Sequence, residues 1–108
     1  MNPTTAALKA LYDRIPRRHS PDNVKEINTI LNEYEDLLII IEAVNKFYEQ
    51  SMPAFFDELE LSRSSIKKST DNKASKKNKD VLFDEGSGTL KDSIQALINL
   101  YADGNRTE

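Results

Sequence analysis

The chain contains the stretch Leu37-Leu38-Ile39-Ile40-Ile41, five consecutive large aliphatic residues within its strongest helical pattern. An α-helix turns by about 100° per residue, so a run of this length reaches every side of the helix. A helix at the surface of a small bundle needs only one apolar stripe. We therefore expect a further element, from this chain or from another molecule, to cover the far side of this helix.

The stretch belongs to a longer apolar pattern whose intervals alternate between three and four residues. Its members are Val24, Ile27, Leu31, Tyr34, Leu38, Ile41, Asn45, Tyr48 and Met52. This is the spacing of a coiled-coil-like seam, in which Asn45 is the one polar member. With Ser20 as N-cap and Pro21 in its first turn, it predicts one helix of about 30 residues, roughly 45 Å long. Ile39 and Ile40 lie off this seam.

Two further helices are predicted by their capping residues and apolar stripes. The first begins with Asn2 as N-cap and Pro3 at the first helical position. The last begins with Thr89 as N-cap and ends at Gly104. We expect an all-α fold, a small helical bundle of about four helices around one long central helix with antiparallel neighbours.

Pro53 interrupts the long apolar pattern. It either kinks the long helix or lies in the first turn of a third helix, for which Ser51 is the candidate cap. The next segment, residues 69–88, is rich in Lys, Ser and Asn in its first half and ends in a Gly-Ser-Gly sequence. This composition predicts a flexible Lys-rich connection at about 69–88, containing a loop at residues 84–88. We expect residues 1–108 to form a single all-helical domain.

Charge is unevenly distributed along this chain of 108 residues and net charge −3. Residues 26–60 carry nine acids against one base, whereas residues 61–79 carry seven bases against one acid. The chain has no cysteine, which excludes disulfides and thiolate zinc sites. Its longest apolar run is far short of the ~20 residues that span a bilayer, and it has no signal-peptide pattern. We therefore expect an intracellular, cytoplasmic protein that does not bind membranes.

Few residues have the pattern of a catalytic or metal site. The only histidine, His19, precedes Ser20, which the helix start already explains as an N-cap. We predict no catalytic, cofactor-binding or metal-binding residue. The alternative is a small Mg-dependent all-α hydrolase, because two carboxylate pairs have helical i, i+3 spacing and oxygen ligands suit Mg²⁺. The pairs are Glu33 with Asp36, and Asp57 with Glu60, but the first pair lies opposite the seam.

The lysine-rich segment provides a second alternative, which is binding to nucleic acid. Six lysines fall between Lys67 and Lys79, where they could neutralise phosphates. However, no aromatic residue lies among them for base stacking, and the whole chain is acidic. Complementarity to an acidic surface explains them better.

These observations favour a non-enzymatic protein–protein interaction module that acts through apolar and aromatic helix faces. A helical adaptor, an inhibitor, a chaperone-like factor and a subunit of a larger helical assembly all fit this description. The expected partner is another protein or a second copy of this chain, and no cofactor is expected. The predicted contact residues are Ile39, Ile40, Asn45, Phe47, Tyr48, Phe55 and Phe56.

Overall fold

The protein is all-α, as predicted. The structure, a computed structural model, describes the backbone of residues 3–104 and the side chains of residues 3–101. The predicted cap Asn2 lies outside the described residues. The regular structure of the described part consists of four helices, α1 (Pro3–Arg14), α2 (Pro21–Glu42), α3 (Lys46–Lys68) and α4 (Lys76–Gly104).

The four helices form an elongated bundle in which each helix runs antiparallel to the next. The pairs α1–α2, α2–α3, α3–α4 and α4–α1 are in contact, so the helices close a ring around one core. The most extensive packing is between α3 and α4, and the least is between α1 and α2. The bundle measures 49 × 23 × 17 Å. None of the helices in the described range combines the length and apolarity that crossing a lipid bilayer demands.

The core confirms the seam that the sequence predicts along α2. Ser20 caps this helix, because its side chain accepts a hydrogen bond from the backbone N–H of Asn23 at 3.0 Å. The buried residues of α2 are Ile27, Ile30, Leu31, Tyr34, Leu38 and Ile41. The other helices complete the core with Leu8, Leu11, Tyr48, Met52, Leu59, Ile66, Phe83, Leu90, Ile94, Leu97, Ile98 and Tyr101.

The second helix is shorter than predicted, because α2 ends at Glu42 and α3 begins at Lys46. Asn45 has an extended backbone, and its side chain accepts a hydrogen bond from the backbone N–H of Tyr48 at 3.0 Å. Asn is a strong N-cap and a weak interior residue, so it starts a new helix here instead of occupying a seam position. Tyr48 and Met52 still reach the core, but they do so from α3.

Pro53 lies inside α3, beyond the first turn, so it does not start a third helix, and the long helix that it was expected to interrupt already ends at Glu42. The predicted cap Ser51 is also wrong, because its hydroxyl donates to the carbonyl of Phe47 within the helix, at 2.8 Å. Pro53 has no N–H to donate to the carbonyl one turn earlier. Its side chain is exposed, on the side of α3 away from the core.

The fourth helix begins much earlier than predicted. Within the predicted connection at 69–88, only residues 69–75 lie outside helices, and α4 passes through the predicted loop at 84–88 and the predicted cap Thr89. Gly86 explains this difference, because it allows α4 to approach α3 closely. Its carbonyl accepts a hydrogen bond from the buried Ser62 hydroxyl at 2.7 Å. Both Gly86 and Gly88, which were interpreted as loop residues, lie in α4, and Gly86 belongs to a helix–helix contact.

Candidate functional site: an apolar corner between α2 and α3

Four large apolar side chains are exposed where α2 turns into α3. Ile39 is 50% exposed, Ile40 55%, Val44 43% and Phe47 52%. We call these four residues the apolar corner. Most large apolar side chains of the bundle are buried, so this concentration within residues 39–47 stands apart from the rest of the surface.

The two isoleucines lie on either side of the outer face of α2. Ile39 follows Glu35 by one turn, and Glu35 pairs with Arg63 of α3 at 3.0 Å, so Ile39 lies on the edge near α3. Ile40 follows Leu37 by three residues, and Leu37 lines a groove beside α1. Ile40 therefore lies on the edge near α1. No element within the described part of the chain buries either residue.

A shallow groove between α1 and α2 extends the apolar corner. It has a volume of about 320 Å³. Its lining residues are Ala7, Ala10, Leu11 and Arg14 from α1, and Glu33, Asp36 and Leu37 from α2. The small alanines leave space beside α2, which accords with the limited packing of these two helices. The groove leads along α2 toward Ile40.

Acidic side chains border the apolar corner. Asp36, Glu42 and Glu49 make no ion pair with any described residue, and Lys46 is the only base in residues 33–49. Two other carboxylates of α2 are neutralised, since Arg14 pairs with Glu33 at 3.0 Å and Arg63 with Glu35. The hydrogen bond from Arg63 also lowers the pKa of Glu35. The net field at the corner is therefore negative.

Some of the predicted contact residues lie on the surface, and others are buried or cap a helix. Ile39, Ile40 and Phe47 are on the surface, and their binding to a partner stays a prediction. Asn45 is half-buried and is the cap of α3. Val44 was missed, because the sequence predicted a continuous helix through this position.

The aromatic residues of α3 contribute mainly to the core. Tyr48 is fully buried, and its hydroxyl donates to the backbone carbonyl of Tyr101 at 3.3 Å. Its inclusion as a surface contact residue is therefore wrong. Phe55 and Phe56 are half-buried and pack against the core. The seam spacing already predicted that Tyr48 faces the core, and Tyr48 does face the core, although it belongs to α3.

The paired carboxylates do not assemble into a metal site. Glu33 pairs with Arg14, and Glu60 pairs with Arg63 at 2.9 Å. No three His, Asp or Glu side chains in the described range come together in a way that could hold a metal ion. Arginine therefore engages one carboxylate of each predicted pair, whereas Asp36 and Asp57 make no ion pair with a described residue.

A second charged surface lies at the other end of the bundle, around the α1–α2 and α3–α4 connections. Arg17, Arg18 and Lys76 line one groove there, together with His19, Asp80 and Asp84. The His19 side chain lies 3.7 Å from an Asp80 oxygen, and its ring packs edge-on against Phe83 with centroids 5.6 Å apart. The sequence did not reveal this cluster, because its residues come from distant segments.

Comparison with known proteins yields no match, since no protein-family model, curated protein or solved structure matches this chain.

Proposed function

We propose that the protein is a non-enzymatic protein–protein interaction module whose apolar corner binds an amphipathic segment of a partner. In that segment, apolar residues are flanked by Lys or Arg. The observation that carries the proposal is the group of four half-exposed apolar side chains, bordered by carboxylates that make no ion pair with a described residue. Adaptors, inhibitors, chaperone-like factors and subunits of helical assemblies all act through surfaces of this kind.

Burial of apolar surface supplies the driving force. Removing apolar area from water contributes roughly 25 cal/mol per Å², and each corner residue still has about half of its surface available. Interfaces are centred on such apolar side chains with polar residues at the rim. Phe47 provides an aromatic anchor, and the acids around it form the rim.

Charge complementarity favours a basic partner over a second copy of the chain. In a symmetric dimer through the apolar corner, Asp36, Glu42 and Glu49 would approach the same residues of the other copy. Like charges brought together at an interface are destabilising, whereas Lys or Arg on a partner would pair with them. The same charges would select against acidic partners.

The groove beside α2 favours a helical partner segment. A helix can place its apolar face into a groove through residues spaced three and four apart. Ala7 and Ala10 leave room beside Leu37, and Ile40 follows Leu37 by three residues on α2. A helix lying along this line would contact the apolar corner at its end.

Two synthetic peptides test the proposal. Both have about 18 residues, or five helical turns, with Leu on one face, and the other face carries Lys in one peptide and Glu in the other. We expect isothermal titration calorimetry to show binding of the Leu/Lys peptide that is at least about tenfold tighter than that of the Leu/Glu peptide, a difference of about 1.4 kcal/mol. Equal affinities for the two peptides would contradict the charge argument.

A matched pair of variants tests the location. The Ile39→Gln/Ile40→Gln variant should bind the Leu/Lys peptide about tenfold or more weakly, because the substitutions remove apolar area at the corner. The control is Leu61→Gln/Val81→Gln, which changes two exposed apolar residues elsewhere, and it should stay within about twofold of the unmodified protein. If both variants lose the same affinity, the apolar corner is not the binding surface.

A further inference from the structure

The end of the bundle opposite the apolar corner concentrates positive charge. Residues 15–25 and 64–80 carry nine Lys and Arg residues against three Asp residues, in a chain of net charge −3. We call this surface the basic end. Its cations are Arg17, Arg18, Lys25, Lys67, Lys68, Lys73, Lys76, Lys77 and Lys79. The fold creates this concentration, because it brings the α1–α2 connection beside the α3–α4 connection.

These cations are available for an external anion. None of the nine makes an ion pair with a described residue, although Arg14 and Arg63 elsewhere are each paired twice. All of them except Lys79 are exposed. A surface with only a solubilising role would mix both signs. The basic end therefore carries an unneutralised positive field.

A groove at the basic end brings arginine and lysine to one place. It has a volume of about 320 Å³, and Arg17, Arg18, His19 and Lys76 line it with Asp80 and Asp84. Guanidinium groups bind phosphate oxygens in a planar, two-point geometry, and lysine adds a point charge. The remaining lysines continue the positive surface along α3 and the α3–α4 connection.

The composition of the basic end decides between classes of polyanion. Within residues 15–25 and 64–84, Val81 is the only large hydrophobic residue that is exposed. A membrane surface is bound by charge together with inserted apolar side chains, and a protein interface needs an apolar centre. A nucleic-acid backbone can be bound by charge alone, through release of its counterions. Base stacking in single strands needs exposed aromatic rings. Such rings are absent from these two ranges.

We propose that the basic end binds the phosphate backbone of a nucleic-acid duplex without regard to base sequence. Arg17, Arg18 and Lys76 hold one phosphate-rich segment, and the lysines of α3 and the connection contact its neighbours. This activity uses a surface separate from the apolar corner, so it does not depend on the protein–protein interaction proposed above. The two surfaces would allow the protein to join a duplex to a protein partner.

Fluorescence anisotropy with a labelled duplex of about 20 base pairs, as DNA and as RNA, tests this proposal. Four to five phosphate contacts predict a fall in affinity of about 10²–10³-fold between 50 and 200 mM salt, because each contributes about −0.9 to the logarithmic slope. Duplexes of unrelated sequence should bind equally within about twofold. No binding at 50 mM salt, or at least tenfold preference for a single strand or for one sequence, would overturn the proposal.

Charge-matched variants locate the binding surface. Arg17→Gln/Arg18→Gln should weaken duplex binding about tenfold or more and reduce the salt slope by about two. Lys9→Gln/Lys46→Gln removes the same charge elsewhere and should stay within about twofold. All four side chains are exposed, and circular dichroism checks that both variants fold. An equal loss in both variants would show general electrostatic attraction and contradict a site at the basic end.

Vesicles containing phosphatidylserine and a polyglutamate chain serve as competing polyanions. The labelled duplex should resist displacement by either one at equal charge concentration. Displacement by vesicles at lower concentration than unlabelled duplex would assign the basic end to a membrane instead. The Arg17→Gln/Arg18→Gln variant should still bind the Leu/Lys peptide, so a failure of this proposal is separable from a failure of the first.

Discussion

The hydroxyl of Tyr34 donates to the hydroxyl of Ser93 across the buried centre of the bundle, with 2.7 Å between the oxygens. Its direction follows from the next contact, because the Ser93 hydroxyl donates to a carboxylate oxygen of Glu58 at 2.8 Å. A carboxylate only accepts, so Tyr34 must supply the other proton. The chain of hydrogen bonds joins α2, α4 and α3, the three helices that carry the apolar corner and its supporting core.

Removing the middle of this chain should cost more than removing its end. Ser93→Ala leaves the buried Tyr34 hydroxyl without its acceptor, and we expect a loss of about 1–2 kcal/mol in the free energy of unfolding. Tyr34→Phe leaves the Ser93–Glu58 bond intact and should cost about 1 kcal/mol or less. Urea unfolding measures both, and the double variant should cost less than the sum. A Ser93→Ala protein as stable as the original would contradict this network.

Alkaline pH should destabilise the protein through Tyr34. Burial, together with the nearby Glu58 charge, raises the pKa of Tyr34 above that of a free tyrosine. In the unfolded chain this group ionises near pH 10, so above that pH the folded state binds more protons than the unfolded state. Stability is complete below about pH 10 and falls as the pH rises further. The fall, measured by urea unfolding, should be shallower in Tyr34→Phe, and an unchanged slope would argue against a buried hydroxyl.

Gly86 and Gly88 of α4 should respond to alanine in opposite directions. A Cβ at Gly86 would lie 2.6 Å from Cδ1 of Ile66 and 3.2 Å from the Ser62 carbonyl oxygen. Ile66 is fully buried, so the added methyl overpacks the α3–α4 contact and should cost about 1–2 kcal/mol. Gly88 has open space, and Gly88→Ala should stabilise the helix by about 0.5–1 kcal/mol. Thermal unfolding of both variants checks the sign, and a stabilised Gly86→Ala would contradict the close approach.

The apolar corner should be dispensable for folding. Ile39 and Ile40 are half-exposed, so Ile39→Gln/Ile40→Gln should change the free energy of unfolding by less than about 0.5 kcal/mol for each residue. The matched control is Ile41→Gln, which places an amide in the core and should cost about 3 kcal/mol or more. Chemical denaturation compares the two. A large loss in the double variant would mean that another element covers these isoleucines.

The sequence predicted the bundle and the core face of α2 because both depend on local rules. The three-and-four spacing places Ile27 and Leu38 inward whatever lies opposite them. The same spacing places Ile39 and Ile40 off the seam, and the structure leaves them on the surface. The spacing does not predict whether the chain turns at Asn45, because Asn occurs both at seam positions and as an N-cap in natural helices.

The errors come from residues whose role depends on a neighbouring helix. By local rules Gly86 predicts a loop. In the structure it is a helical residue whose missing Cβ leaves space for Ser62 and Ile66 of α3. The groove of Arg17, Arg18 and Lys76 requires knowledge of which connections meet at one end of the bundle. Both features depend on tertiary contacts, which cannot be predicted from a single sequence by local rules.

Amide chemical-shift mapping with the Leu/Lys peptide tests the central proposal most directly. We predict that the largest shifts in the ¹⁵N–¹H spectrum occur within residues 36–47, with smaller shifts along the α1 side of the groove near Ala7 and Ala10. The shifts should vanish when the titration is repeated with the Ile39→Gln/Ile40→Gln protein. Shifts centred on Leu61 or Val81, or an unchanged map in the double variant, would contradict a binding surface at the apolar corner.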